Sequence, residues 1–209
     1  MKKAAISVAE MLAQAFLQAR AQQQEVLKRW NKVSYNLGPR VGASLLFVSI
    51  QQQGETDAVL RCIEDEFADP QRREKIDFVT SSYHAISVYW IGAVYEVLRL
   101  LRARNLLNEP NGVLLLNDFE LLRIPLEKHE ITKDREFTEP VTMIPFPPGG
   151  GETDSYTYDP KSPTRAHIMP SGLTTRGSLT WQAIDTKTRT ARWIERRSLS
   201  DRLLDLWGG

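Results

Sequence analysis

Cysteine is nearly absent: Cys62 is the single one in 209 residues. That excludes an internal disulfide and any zinc site built from several thiolates. Histidine is scarce too, with His84, His129 and His167 far apart in the chain. No HExxH, no GxSxG and no phosphate-cradling glycine loop is present, and Gly149-Gly150-Gly151 follows prolines rather than a strand. No metal and no cofactor is therefore expected. No window approaches the roughly 20 apolar residues that span a bilayer, so a membrane partner is not expected either. A strong charge of one sign is also lacking. The net charge of +1 implies no general attraction to nucleic acid or anionic lipid. The first 21 residues carry two lysines, apolar residues and Ala19-Arg20-Ala21. Glu10, Gln14 and Gln18 interrupt the apolar run, so it reads as a helix rather than a secretion signal, with the cytoplasm as the default location.

What the sequence does hold is helical periodicity. Residues 71–131 form the organising stretch. Ile76, Val79, Tyr83, Ile86, Trp90, Ala93, Val97 and Leu100 recur at alternating spacings of three and four, the seam of a helix that meets other helices. Asn108-Glu109-Pro110-Asn111-Gly112 breaks it. A second helix then follows, with Pro125 expected to kink it into two segments. Upstream, Ala9, Leu12, Phe16, Ala19, Gln23, Val26, Trp30 and Val33 predict one helix from about Ala4 to Tyr35, with Gln23 as a polar member of the seam. Gly38-Pro39 ends it. Residues 43–50 lean to helix, Gly54 interrupts, and Thr56 is a plausible N-cap for a helix over residues 57–67.

Beyond Thr138 the character changes. Prolines at 140, 145, 147, 148, 160 and 163, with the glycine triplet, exclude regular structure over about 25 residues. Alternating residues on either side of Thr186-Lys187-Thr188 predict a β-hairpin with Trp181 facing Trp193 and Ala183 facing Ala191. Residues 165–169 are a candidate third strand. A short helix over residues 201–207, capped by Ser198 or Ser200, closes the chain. The expected fold class is mainly α: a helical bundle with long antiparallel helices plus a small C-terminal β-hairpin subdomain. It divides as residues 1–134, a connection over 135–165, and 166–209.

Two constellations carry chemistry. The first is Phe119-Glu-Leu-Leu-Arg-Ile-Pro-Leu-Glu-Lys-His-Glu-Ile131. An arginine and a histidine with five residues between them, at the end of a helix in a helical protein, resembles the HEPN superfamily. That resemblance implies a dimeric, metal-independent RNase of the toxin or phage-defence type. It would make Arg123 the cation that stabilises the phosphorane and His129 the general acid or base, roles that suit both residue types.

The second is the basic tail, with nine basic and three acidic residues between Lys161 and Arg202. Arg176, Arg189, Arg192, Arg196 and Arg197 around Trp181 and Trp193 could grip an RNA or DNA backbone and stack its bases. The alternative is that these arginines pair with the acidic stretch around Glu64-Asp65-Glu66. Residues 52–77 hold eight acidic and four basic side chains. The leading expectation is a helical interaction module that forms a homodimer, because two long seams in one chain exceed what a small bundle buries.

Overall fold

The structure is a computed structural model, and it describes residues 7–42, 45–73, 77–131, 134–143, 157–162 and 169–209. The protein is mainly helical, with small antiparallel sheets near the C-terminus.

Helix α1 (Val8–Gln22) begins at a capping box. The Ser7 hydroxyl accepts the Glu10 N–H and the Glu10 carboxylate accepts the Ser7 N–H, so two orphan donors are satisfied. The expected single helix breaks at Gln23, which leaves helical backbone at φ −111° and ψ 36° and starts α2 (Gln24–Leu37). Gln23 Nε2 donates to Asp65, so the polar seam residue is a tie between helices. A 3₁₀ turn (Gly38–Val41) follows, as the proline requires.

Helix α3 (Leu46–Ala68) corrects the expectation of a break at Gly54: it runs straight through. Thr56 is not a cap, since its hydroxyl bonds back to Gln52 O. Gly54 is set by packing. A Cβ there would lie 2.6 Å from Trp30 Cβ, so the missing side chain lets α2 close on α3. After a single turn, α4 (Pro70–Arg73), comes α5 (Asp77–Ala103). Its predicted seam is only half buried: Tyr83, Trp90 and Val97 enter the core, while Val79 and Ile86 face solvent. Ile76 lies outside the described residues.

Helix α6 (Pro110–Lys128) starts with proline at its first position and is not split at Pro125. One turn later the His129 N–H donates to Pro125 O at 2.9 Å, which keeps the ladder going, and Leu122 and Pro125 are both buried.

Strand β1 (Val141–Thr142) pairs with β2 (Thr157–Tyr158), and β3 (Ser171–Leu173), β4 (Leu179–Asp185) and β5 (Thr190–Glu195) form a second antiparallel sheet. The third strand is therefore β3. Of the expected strand over residues 165–169, only Met169 lies within the described residues, and it is not in a strand. The hairpin register differs by one residue from expectation: Trp181 is opposite Ile194, and Trp193 is opposite Gln182. The cause is a four-residue turn in which Asp185 O accepts the Arg189 N–H and the Asp185 carboxylate accepts the Lys187 N–H, with Arg189 in the left-handed region at φ 58°. A shift of one residue puts the two tryptophans on opposite faces. The last helix, α7 (Arg196–Trp207), starts five residues earlier than expected, directly from β5.

One large core joins what the sequence divides at residues 134 and 165. Trp30, Leu60, Trp90, Leu98 and Phe119 share it with Leu179, Trp181, Leu199, Leu203 and Trp207. A second, small core gathers Ile131, Phe137, Val141, Tyr158, Ile184 and Ala191. The sheet is seated on α3 at Gly177, which has φ 75°. A Cβ there would fall 2.0 Å from Glu64 O and 2.8 Å from Ala68 N, backbone atoms that cannot yield. Gly177→Ala is therefore expected to cost at least about 3 kcal/mol through strain and displaced backbone. Urea unfolding checks this, and a midpoint like wild type would show that the turn does not touch α3.

Candidate functional site

The most concentrated chemistry lies inside the fold, between α3, α7, the start of β4 and α5. Asp57, Arg61 and Glu64 occupy positions i, i+4 and i+7 of α3, one face of a helix. Arg196, the first residue of α7, is wholly buried against them. Its Nε and one Nη donate to the two oxygens of Glu64 at 2.6 and 2.8 Å, and the other Nη donates to Asp57 at 2.6 Å. Its guanidinium carbon sits 5.1 Å from the Trp90 ring centre. Asp57 Oδ2 also accepts from Trp30 Nε1, Arg61 Nε and the Ser200 hydroxyl. Glu64 Oε1 also accepts from the Ser178 hydroxyl and from Tyr83. Tyr83 in turn accepts the Leu179 N–H, so sheet and helices share one hydrogen-bond network. Arg61 reaches outward to Asp201 at 2.6 Å.

Burial alone would raise the Asp57 carboxyl, but Arg196 and then Arg61 outweigh it and hold the group down at about 2. Burial, reinforced by the Glu64 carboxylate, pushes the Tyr83 hydroxyl up. Two carboxylates and two guanidinia cancel inside the cluster, and both carboxylates are fully engaged. Chemically this is a joint, with no open side for a substrate.

The predicted catalytic pair lies elsewhere. Arg123 turns toward α5, with Nε 2.8 Å from Glu127, an Nη 3.7 Å from Glu96, and its guanidinium over the Tyr95 ring at 5.3 Å. Arg99 holds the other side of this half-exposed cluster through Glu96. His129 caps α6 in the left-handed region at φ 56° and is exposed. No hydrogen bond or ion pair joins His129 to Arg123 within one chain.

The basic tail is dispersed by its pairing. Arg196 and Trp181 lie inside the fold rather than on the hairpin surface. Arg176 is held by both oxygens of Glu195 and by Asp201, and Arg197 by Asp65. Arg192 and Arg202 share Asp118 of α6. Trp193 is partly buried, and Arg189 stands at an exposed turn, where it donates to Thr138. Trp181 Nε1 donates to His84 Nε2 at 3.3 Å, and burial keeps His84 below its ordinary range, as a neutral acceptor must be. Among the described residues, no group of three or more metal-ligating side chains converges.

Sequence reasoning missed Asp57, Arg61 and Glu64 as a unit. The signal was there: a 4-3 spacing of charged residues on the face that also carries Leu60 and Phe67, where apolar residues belong.

No family model matches the chain, and no curated protein or solved structure matches it significantly.

Removing one charge from the joint leaves the other buried and uncompensated. Asp57→Asn is expected to cost about 3–5 kcal/mol in urea unfolding. The pH response has a defined sign. A carboxyl whose folded pKa is depressed contributes stability above its unfolded value near 4, and loses it as pH falls toward about 2. Wild type should therefore lose stability across that window, and Asp57→Asn should lose measurably less. Equal acid sensitivity in the two proteins would contradict the assignment.

Proposed function

We propose that the protein is a helical interaction module that forms a homodimer through α1. The observation that carries this reading is an unfilled seam. Of the seam residues on α1, Ala19 alone is buried and Leu12 is 56% exposed, and beside it Val8 and Met11 are 68 and 50% exposed. At 100° per residue, Val8, Met11, Leu12 and Ala15 span roughly a quarter-turn of arc, with Glu10 on the opposite side and Gln14 and Gln18 along one edge. The apolar face carries no charge, so nothing on it repels a second copy of itself.

Antiparallel pairing centred between Met11 and Leu12 sets Val8 of one copy against Ala15 of the other and Met11 against Leu12. Val8 then meets a small residue, Met11 and Leu12 cover each other, and the helix dipoles oppose. Each fully covered apolar side chain of this size contributes about 1.5–3 kcal/mol, before the cost of association is subtracted.

The other two readings have less support. RNA cleavage of the HEPN type rests on the spacing of Arg123 and His129, and within one chain Arg123 is engaged by Glu127 and Glu96 instead. Nucleic-acid binding by the tail rests on arginines most of which already hold carboxylates.

Light scattering on a size-exclusion column tests the proposal. The wild type is expected at twice the chain mass at micromolar concentration, and Leu12→Glu at the mass of one chain with unchanged circular dichroism. A monomeric wild type, or a dimer indifferent to Leu12→Glu, would contradict it.

A further inference from the structure

Nearly every arginine whose side chain is described has a carboxylate partner. Among the described residues Arg40, Arg102, Arg104 and Arg189 make no ion pair, although Glu109 lies within electrostatic reach of Arg40. Three of these four gather at one end of the helices. Arg40 belongs to the 3₁₀ turn after α2, Arg102 to the last turn of α5, and Arg104 to the turn just after it. Arg104 Nη1 donates to Val41 O at 3.1 Å and Arg102 Nη1 to Leu107 O at 2.9 Å, which uses one donor group of each guanidinium and leaves others outward. Glu109, a carboxylate at this end, is occupied by the Trp207 indole N–H and the Asn108 N–H. The surplus of positive charge is therefore local, although the whole chain is nearly neutral.

The same end presents apolar side chains to water. Leu45 is 81% and Tyr35 65% exposed, and Val48 is exposed one turn along α3. Leu45 and Val48 lie one turn apart at the start of α3, with Phe47 between them in sequence. The Tyr35 ring stacks edge-on to Phe47 at 5.1 Å, and Phe47 packs on Gly38, where a Cβ would fall 2.9 Å from Phe47 Cβ. Gly38 begins the turn that carries Arg40 and Val41, so the apolar tip and the basic rim are built on the same few residues.

We propose that this end of the helices is a peripheral docking surface for an anionic lipid bilayer. Leu45 and Val48 enter the acyl boundary. Tyr35 places its ring at the headgroup level, where amphipathic aromatics concentrate. Arg40, Arg102 and Arg104 meet the lipid phosphates and carboxylates. A nucleic acid would use the same arginines but would hold the aliphatic tip against solvated phosphates, gaining nothing from Leu45 or Val48. The contact lies on the surface, since no described helix is long and apolar enough to cross a membrane. It is separate from the α1 face and does not depend on dimerisation.

Co-sedimentation of the full chain with lipid vesicles is the test. Vesicles with about a third phosphatidylserine should bind, pure phosphatidylcholine should not, and binding should weaken as salt is raised. Arg40→Glu reverses an exposed charge that makes no ion pair and has only Glu109 within electrostatic reach. At roughly fivefold per charge it should weaken binding by more than tenfold. Leu45→Ser should weaken binding with little change in its salt dependence, and because the side chain is exposed and serine is favoured at this N-cap of α3, the thermal unfolding temperature should not fall. Failure of the wild type to bind phosphatidylserine vesicles would overturn the proposal. So would binding indifferent to both substitutions, or binding to an oligonucleotide, lost in Arg40→Glu, without binding to vesicles.

Discussion

A fully buried guanidinium decides how this chain is put together. Arg196 has no surface in contact with water, and its Nε and both Nη atoms donate to Glu64 and Asp57 of α3. A charge in that position is costly by several kcal/mol unless its partners are in place. The residue that opens the last helix must therefore reach the middle of α3, 132 residues earlier in the chain. The intervening helices and strands are arranged around that closure. Asp57 gathers Trp30 of α2, Arg61 of its own helix and Ser200 of α7. Glu64 gathers Ser178 at the start of the sheet and Tyr83 of α5. The joint thus reaches most of the main elements, and the apolar core built around Trp30, Trp90 and Phe119 surrounds it.

Two glycines let the backbones come close enough for the joint to form. Gly54 admits Trp30 against α3, which brings the indole N–H to Asp57 at 2.9 Å. Gly177 lets the turn before β4 sit on the carbonyl of Glu64, which brings Ser178 and Tyr83 to the Glu64 side chain. A glycine inside a helix costs about 1 kcal/mol in propensity, and at Gly54 the packing of a tryptophan on a paired carboxylate offsets it. The exposed apolar residues of α1, and Arg40, Tyr35 and Leu45, take no part in the joint.

The sequence made much of the fold legible where one periodicity dominates. The helices α5 and α6, the break between them, the β4–β5 hairpin and a closing helix all follow from spacings of 3.6 or 2. It was less legible where tertiary contact overrides a local rule. Gly54 and Pro125 read as helix breakers, and packing carries the helix through both. The hairpin register turned on one extra loop residue, held by Asp185, and that separated Trp181 from Trp193. The α5 seam reads as one stripe in the sequence, although Val79 and Ile86 remain in water. Pairing of tail arginines with the acidic stretch is an alternative that charge alone suggests. Its central members, Asp57 and Arg61, were not recognised because charged residues on an apolar face read as exceptions rather than as partners.

The division of the chain at residues 134 and 165 is the sharpest alternative to this account, because it makes the sheet and α7 a separate subdomain. Native-state hydrogen exchange decides between them. If the Arg196 joint makes one cooperative unit, the slowest amides of β4 and of α3 open with the same free energy and respond equally to denaturant. Exchange of the β4 amides through an opening several kcal/mol below that of α3, with α3 still protected, would contradict the joint as the constraint on which the fold depends.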